Sequence, residues 1–275
     1  MRIIYNSIFL QHDTGSHPEN PARLSMFSHL KDSRIVNGEG YLKLTHSDAY
    51  IEYVKKTAKE KGSLSQDTPL SEKSFEVACY AVGAAIGAAE TQSFALVRPP
   101  GHHASENNGM GFCLFNNIAI AAKYLLKKGK RVFVFDFDLH HGNGTQAILE
   151  SEENCHYFSI HQADAFPGTG TESGKNFSNY PLHGTVLDVT YVRLLEQKLA
   201  PALKEFAPDI VAVSAGFDSY YKDKGVLGPN TGFELTKRSY EKIKEILAKY
   251  PHFMVLEGGY NPESVFEGAN VFAEI

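Results

Sequence analysis

The chain has 275 residues, 43% hydrophobic and 21% charged, enough to bury a substantial core without disulfide or metal staples. Its net charge of −5 excludes the basic footprint of a nucleic-acid binder and leaves at most a weak attraction for basic protein tails. Three cysteines without a CxxC pair argue against a disulfide scaffold, no apolar run approaches the ~20 residues of a membrane span, and the first ten residues lack a signal-peptide pattern, so a cytoplasmic enzyme is expected.

Strand-like and helical patterns alternate along the chain, with no linker, repeat or low-complexity stretch. This predicts one α/β domain over residues 1–275, a parallel sheet flanked by helices. Arg2–Tyr5 reads as the opening strand. Pro21–Leu30 begins with proline, as helices often do in their first turn. Ser47–Lys61 has a serine cap followed by apolar spacing of three and four, and Glu72–Glu90 is an alanine-rich helix. Phe94–Val97 is a strand ending at Arg98-Pro-Pro-Gly101. Asn116–Lys128 is a helix stopped by Gly129. Arg131–Phe135 and Cys155–Ile160 are strands, Tyr191–Phe206 is helical, and Asp209–Ala215 is a buried strand. Phe233–Tyr250 is helical and Phe253–Leu256 is a final strand.

Polar clusters follow four of these strands: Arg98–His103, Asp136–His141, Gly216–Asp218 and Glu257–Tyr260. Ligand sites in open parallel sheets form beyond the carboxyl ends of strands, so the four clusters converge on one pocket. Asp138 and His140 flank Leu139, and in an extended segment their side chains share a side. Alone they read as an ion pair. With Asp218 after its own strand they read as three ligands for a divalent cation such as zinc, with a fourth position open. His102 and His103 lie in a loop after Pro99-Pro100; adjacent imidazoles are either solvated or a base and acid at neutral pH. Asp136 and Asn143 are the natural acceptors for their outer N–H groups. The glycines of Glu257-Gly-Gly-Tyr260 suggest a turn that delivers a phenol toward an oxyanion, although Tyr260 alone, one of 14 tyrosines, reads as a packed surface residue. Gly142-Asn-Gly144 lacks the rest of a phosphate-binding pattern. His156, His161 and His183 read as structural, and Lys127–Arg131 as a solvated helix end.

Taken together, these segments resemble the zinc-dependent histone deacetylase family. The strings are His17-Pro-Glu19 with Arg23, Arg98-Pro-Pro-Gly-His-His103, Gly111-Phe112, Asn116-Asn117 and Asp136-Phe-Asp-Leu-His-His-Gly-Asn-Gly144. They continue with Ser159-Ile-His161, Phe166-Pro-Gly-Thr-Gly170, Ala215-Gly-Phe-Asp218 and Glu257-Gly-Gly-Tyr260, in the family's order and over most of the chain. Asn143 and Glu257 look like the class II and bacterial branch, with its acetoin-utilisation and acetylpolyamine relatives.

The resemblance implies the arginase/deacetylase fold, a parallel sheet with helices on both faces. It implies zinc (iron(II) is the alternative) on Asp138, His140 and Asp218, and a catalytic set of His102, His103, Tyr260, Asp136 and Asn143. It further implies a structural potassium ion on Asp136, Ser159 and the backbone oxygens of Asp138 and His140. Gly111, Phe112 and Phe166 match the wall of an acyl-lysine tunnel, and Leu227 falls at the gate where polyamine-specific relatives carry glutamate. The implied reaction is removal of an acyl group, mainly acetyl, from lysine side chains of a protein or peptide. The rivals are the same chemistry on a small acylated amine such as an acetylpolyamine, and a catalytically inactive acyl-lysine binding module. Asn143, the short segment 170–188 and the rim 220–228 depart from the commonest family pattern.

Overall fold

The computed structural model describes residues 1–273. Seven strands form its sheet: β1 (Ile3–Ile4), β2 (Phe94–Ala95), β3 (Val132–Asp136), β4 (Cys155–Gln162), β5 (Phe177–Leu182), β6 (Ile210–Ala215) and β7 (His252–Leu256). Every pairing is parallel, in the order β1-β2-β7-β6-β3-β4-β5. β3 and β6 are buried along their whole length, which is why each reads as an unbroken apolar run rather than an alternating one.

β1 and β2 are two residues each, shorter than the apolar runs that contain them. β5 is a strand the apolar pattern does not announce. It carries Asn179 and Pro181 and lies at the sheet edge, where a missing N–H is tolerated.

The helices are α1 (Asp48–Lys59), α2 (Ser74–Thr91), α3 (Asn117–Lys127), α4 (Asn143–Leu149), α5 (Asp188–Leu194), α6 (Ala200–Phe206), α7 (Lys237–Leu247) and α8 (Pro262–Phe272). Ser47 caps α1 by accepting the N–H of Tyr50. The proline-led run at 21–30 is a 3₁₀ helix, Pro21–Phe27, with Ser28 N–H bonding back three residues to Ser25. A π-helical turn, Leu195–Leu199, joins α5 to α6. α7 begins later than its apolar pattern, because Phe233 and Leu235 are buried in extended backbone, where Glu234 N–H donates to the Val186 carbonyl and Leu235 N–H to that of Ser219. α8 follows the Tyr260 turn, capped by the Asn261 side chain. No helix among the described residues is long and apolar enough to cross a membrane.

The topology sets the position of the site. From β3 the chain moves outward to β4 and β5, then returns to the other side of β3 as β6 and β7. The neighbours β3 and β6 therefore flank the switch point, where the loops beyond their carboxyl ends separate and leave a crevice. Asp138 follows β3 and Asp218 follows β6.

His46 anchors the start of α3 from outside this crevice. Its Nε2 accepts the N–H of Asn116 at 2.9 Å, which leaves Nδ1 to donate to the Glu106 carbonyl at 3.3 Å. Burial drives its pKa down from 6.5 to about 4, because charging it would cost solvation. The folded pKa lies below the unfolded one, so its stabilisation is present above 6.5 and fades as pH falls toward 4. The stability gap between wild type and His46→Gln should therefore narrow across that window, by up to ~1.4 kcal/mol per pH unit. Urea denaturation of both proteins at several pH values measures this; a gap constant with pH would show that His46 is not held neutral.

Candidate active site and metal centre

Beyond β3 the backbone leaves the extended form. Asp138 Oδ1 accepts the N–H of His140 at 2.9 Å, so the two side chains meet across a tight turn rather than along a strand. His140 Nδ1 lies 3.2 Å from Asp138 Oδ1 and 2.9 Å from Asp218 Oδ2. The remaining carboxylate oxygens are fixed by amides: Gly258 N–H donates to Asp138 at 2.7 Å, and Leu139 N–H to Asp218 at 2.9 Å. One ligand atom from each of Asp138, His140 and Asp218 lies within 4.8 Å of the others.

All three groups are buried. Burial raises the Asp218 carboxyl. It opposes ionisation of Asp138 too, but the charges of His102 and His140 outweigh it and hold that carboxyl low. Burial would depress His140, yet hydrogen bonds to both carboxylates hold it up at about 10. Two carboxylate oxygens and one imidazole nitrogen, buried and aimed at one another, form a donor set that suits a divalent metal.

Glycine keeps this cluster tight. A Cβ on Gly216 would stand 1.9 Å from Asp138 Oδ2, and one on Gly258 would stand 2.5 Å from both Asp138 Oδ2 and Asp218 Oδ2.

His102 and His103 pack with ring centroids 4.0 Å apart. His102 Nδ1 is 3.1 Å from Asp136 Oδ2, and His103 Nδ1 is 2.8 Å from Asn143 Oδ1. Burial works against charge on both. For His102 the carboxylates of Asp138 and Asp136 prevail and raise it to about 10. For His103 burial prevails, aided by the charges of His102 and His140, and the ring is held well below its ordinary value. Glu257 lies behind the loop, its carboxylate accepting the N–H groups of Gly101 and His102 at 2.7 and 3.1 Å and the Ser214 hydroxyl at 3.2 Å. His102, Cys113 and Glu257 also lie within ligand distance of one another. Those three bonds occupy Glu257, and burial keeps the Cys113 thiol protonated, so that trio is a poor metal site.

A cavity of about 370 Å³ leads from the surface to His103, His140 and Tyr260, with Gly111, Phe112, Phe166 and Leu227 along it. Phe166 meets the His103 ring edge-on at 5.0 Å, and Phe112 meets Tyr260 edge-on at 5.5 Å. Gly111 has φ +56, and a Cβ there would come within 2.5 Å of the His103 ring and 2.7 Å of Phe166. The turn before Tyr260 uses Gly259 at φ +110. Burial holds the Tyr260 phenol protonated, well above its ordinary pKa.

Asp136 and Ser159, expected around a potassium ion, are register partners on β3 and β4. Asp136 is already engaged by His102, Tyr157 and the Asp138 N–H, and Ser159 by His161. Gly142 and Gly144 serve close packing rather than a phosphate: their Cβ positions would meet Asp136 Oδ2 and the Ala104 carbonyl, both at 2.3 Å. His156 bonds Ser178 and His161 bonds Ser159 and Gly170, while the exposed His183 pairs with Asp164.

Asp67, Asp164, Ala165 and Thr231 also line the cavity, and sequence reasoning did not find them. Each is an isolated polar or small residue in an irregular segment, with no motif or periodicity to mark it. The role of Arg23 was equally hidden: its guanidinium lies 5.0 Å over the Tyr260 ring and bonds the carbonyls of Glu257 and Gly259.

Residues 17–275 match the family profile of the histone deacetylase domain. An uncharacterized protein of Synechocystis sp. is 37% identical over 293 residues, which cover 96% of this chain and 95% of that protein. A probable deacetylase of Archaeoglobus fulgidus is 32% identical over 305 residues, covering 98% and 84%. Among solved structures, the crystal structure of the HDA15 HD domain matches with a TM-score of 0.89 at 29% identity, covering 99% of this chain and 89% of that one.

Gly258→Ala should push both carboxylates out of position and weaken zinc binding at least tenfold, within the ~10–100-fold range for disturbing the groups that orient metal ligands. Gly40→Ala is the control, since its Cβ meets nothing within 4 Å. Titrating metal-free protein with zinc against a chromogenic chelator measures both. Unchanged affinity in Gly258→Ala would mean that the ion sits elsewhere.

Proposed function

The chain belongs to the histone deacetylase domain family, and on that premise we propose that it is a zinc-dependent hydrolase of N-acetyl-lysine side chains in proteins or peptides. The observation that carries this reading is the cavity itself. Its walls, Phe112 and Phe166, suit an extended aliphatic stem, and its floor brings a general base, a phenol and a metal donor set to one point. Asp138, His140 and Asp218 would hold the metal; iron(II) suits the same donors. When bound, the metal supplies Lewis acidity toward the acyl carbonyl and the attacking water.

The residues divide the remaining work. His103, neutral and oriented through Nδ1 by Asn143, presents Nε2 to accept the water proton. Tyr260, kept neutral by burial, donates its O–H to the oxyanion of the tetrahedral adduct. His102 contributes positive charge beside Asp136, and the histidine pair returns a proton to the leaving amine. Closing a lysine-length stem between the aromatic walls gains ~0.8 kcal/mol per buried methylene.

A second reading, a small acylated amine such as an acetylpolyamine, is favoured by Asp67 and Asp164 at the mouth, which suit a cationic substrate. Leu227 argues for the first reading, since an apolar side chain there offers no partner to a free amine. Wild type should hydrolyse acetyl-lysine peptides with a higher kcat/KM than monoacetylated polyamines. Leu227→Glu should shift that ratio toward the polyamine by about tenfold, the equivalent of ~1.4 kcal/mol. A wild-type preference for the polyamine would favour the second reading, and zinc-loaded protein that cleaves neither substrate would sink both.

A further inference from the structure

The Tyr260 ring is held on one face by Arg23 and on one edge by Phe112, but its backbone is held from a third direction. Asp223 is a buried carboxylate, and both of its oxygens accept the Tyr260 N–H at 3.0 Å. One of them also accepts the Asn261 N–H at 2.9 Å. The neighbouring cation does not neutralise it, because Lys222 is bound by Glu263 at 2.6 Å and Glu267 at 2.8 Å. The amides of Tyr260 and Asn261 and the N-terminus of α8 compensate it, and the Arg23 guanidinium adds a more distant attraction.

Burying a carboxylate with no ion partner is costly, and a cap alone does not require one. Asn261 already caps α8 through its side chain, accepting the Glu263 N–H at 2.9 Å. Asp223 also sits midway along one stretch of chain, five residues after Asp218 and four before Leu227. The Asn261 side chain ties the same stretch down by donating to the Lys222 carbonyl at 2.9 Å.

We propose that Asp223 is a positioning residue for Tyr260, and that through it the segment carrying Leu227 at the cavity mouth sets where the phenol stands over the metal donor set. This rests on Tyr260 being the oxyanion donor. A phenol displaced by a fraction of an ångström still lets substrate bind but no longer meets the developing charge. Loss of Asp223 therefore falls on kcat rather than KM.

The test is a double-mutant cycle with zinc-loaded, full-length protein, on whichever acetylated substrate the wild type turns over fastest. Asp223→Asn should lower kcat about tenfold, since small misplacements at a reacting centre can cost up to ~10²-fold. KM should stay within about twofold, with one zinc per chain retained. Tyr260→Phe should lower kcat by ~10²–10³-fold, the loss for one oxyanion donor. The double variant should match Tyr260→Phe alone, because a positioning residue has nothing left to position. Multiplying losses would overturn the proposal, as a general structural defect lowers turnover whether or not the hydroxyl is there; so would an Asp223→Asn protein at the wild-type rate. Tyr260→Phe at the wild-type rate would instead remove the phenol reading, and the proposal with it. If Asp223→Asn does not fold, Asp223→Glu, which keeps the charge one methylene further out, goes through the same cycle.

Discussion

Four carboxylates, Asp136, Asp138, Asp218 and Glu257, are buried within one small volume at the carboxyl end of the sheet. Like charges so placed cannot all ionise without compensation, and much of the surrounding architecture provides it. Amides of Gly101, His102, Asp138, Leu139 and Gly258 point inward at the carboxylate oxygens. His102 contributes positive charge, raised by the carboxylates of Asp138 and Asp136. A divalent cation on Asp138, His140 and Asp218, as proposed for this site, would meet what remains. The pressure toward glycine at Gly142, Gly216 and Gly258 has the same origin, since each lets backbone approach a carboxylate more closely than any side chain permits.

A second buried ionic cluster is bonded to the backbone of the first. Glu19 bonds Arg98 through both its oxygens at 2.6 and 2.8 Å, and Arg23 at 2.9 Å. Burial opposes ionisation of Glu19, but the two guanidinium groups outweigh it and hold the carboxyl far below its usual range. Arg98 continues to the carbonyls of Phe9 and His12, and Arg23 to those of Glu257 and Gly259. The stretch holding Phe9 and His12, the 3₁₀ helix holding Arg23, the loop after β2 and the Tyr260 turn are thereby fixed to one another. The planar fork of arginine suits this role, because one guanidinium holds a carboxylate and several carbonyls at once.

What could be read from the sequence follows from how far apart interacting residues lie. β3, β4, β6 and β7 were legible as apolar runs, and the residues just past them were legible because strand ends are where parallel sheets place chemistry. β5 was hidden because Asn179 and Pro181 interrupt its run, which an edge strand permits. The tight turn joining Asp138 to His140 was hidden too, although an extended reading still put both side chains on one site. Asp67, Asp164 and Asp223 were illegible for a different reason. Each acts only through contact with residues distant in sequence, and an isolated aspartate in a loop looks like a solvated one. Arg23 stood in a family motif, but nothing local says that its side chain lies under Tyr260.

The tandem histidines carry the argument further. His102 and His103 are chemically identical neighbours, yet one is held charged and the other neutral. Burial acts on both in the same direction, so it cannot separate them. The separation comes from the carboxylates around His102, Asp138 first and then Asp136 behind its Nδ1. Asp136 brings a negative charge to His102, whereas Asn143 brings His103 a neutral oxygen whose hydrogen bond raises the ring less than burial lowers it. The imidazolium of His102, with rings 4.0 Å apart, then further disfavours a proton on His103. Two imidazoles of opposite charge preference thus arise from one dipeptide because the fold places different groups around each. Asp136 comes from the end of β3 and Asn143 from the first residue of α4, so the turn that carries Asp138 and His140 also places the two histidines' different acceptors.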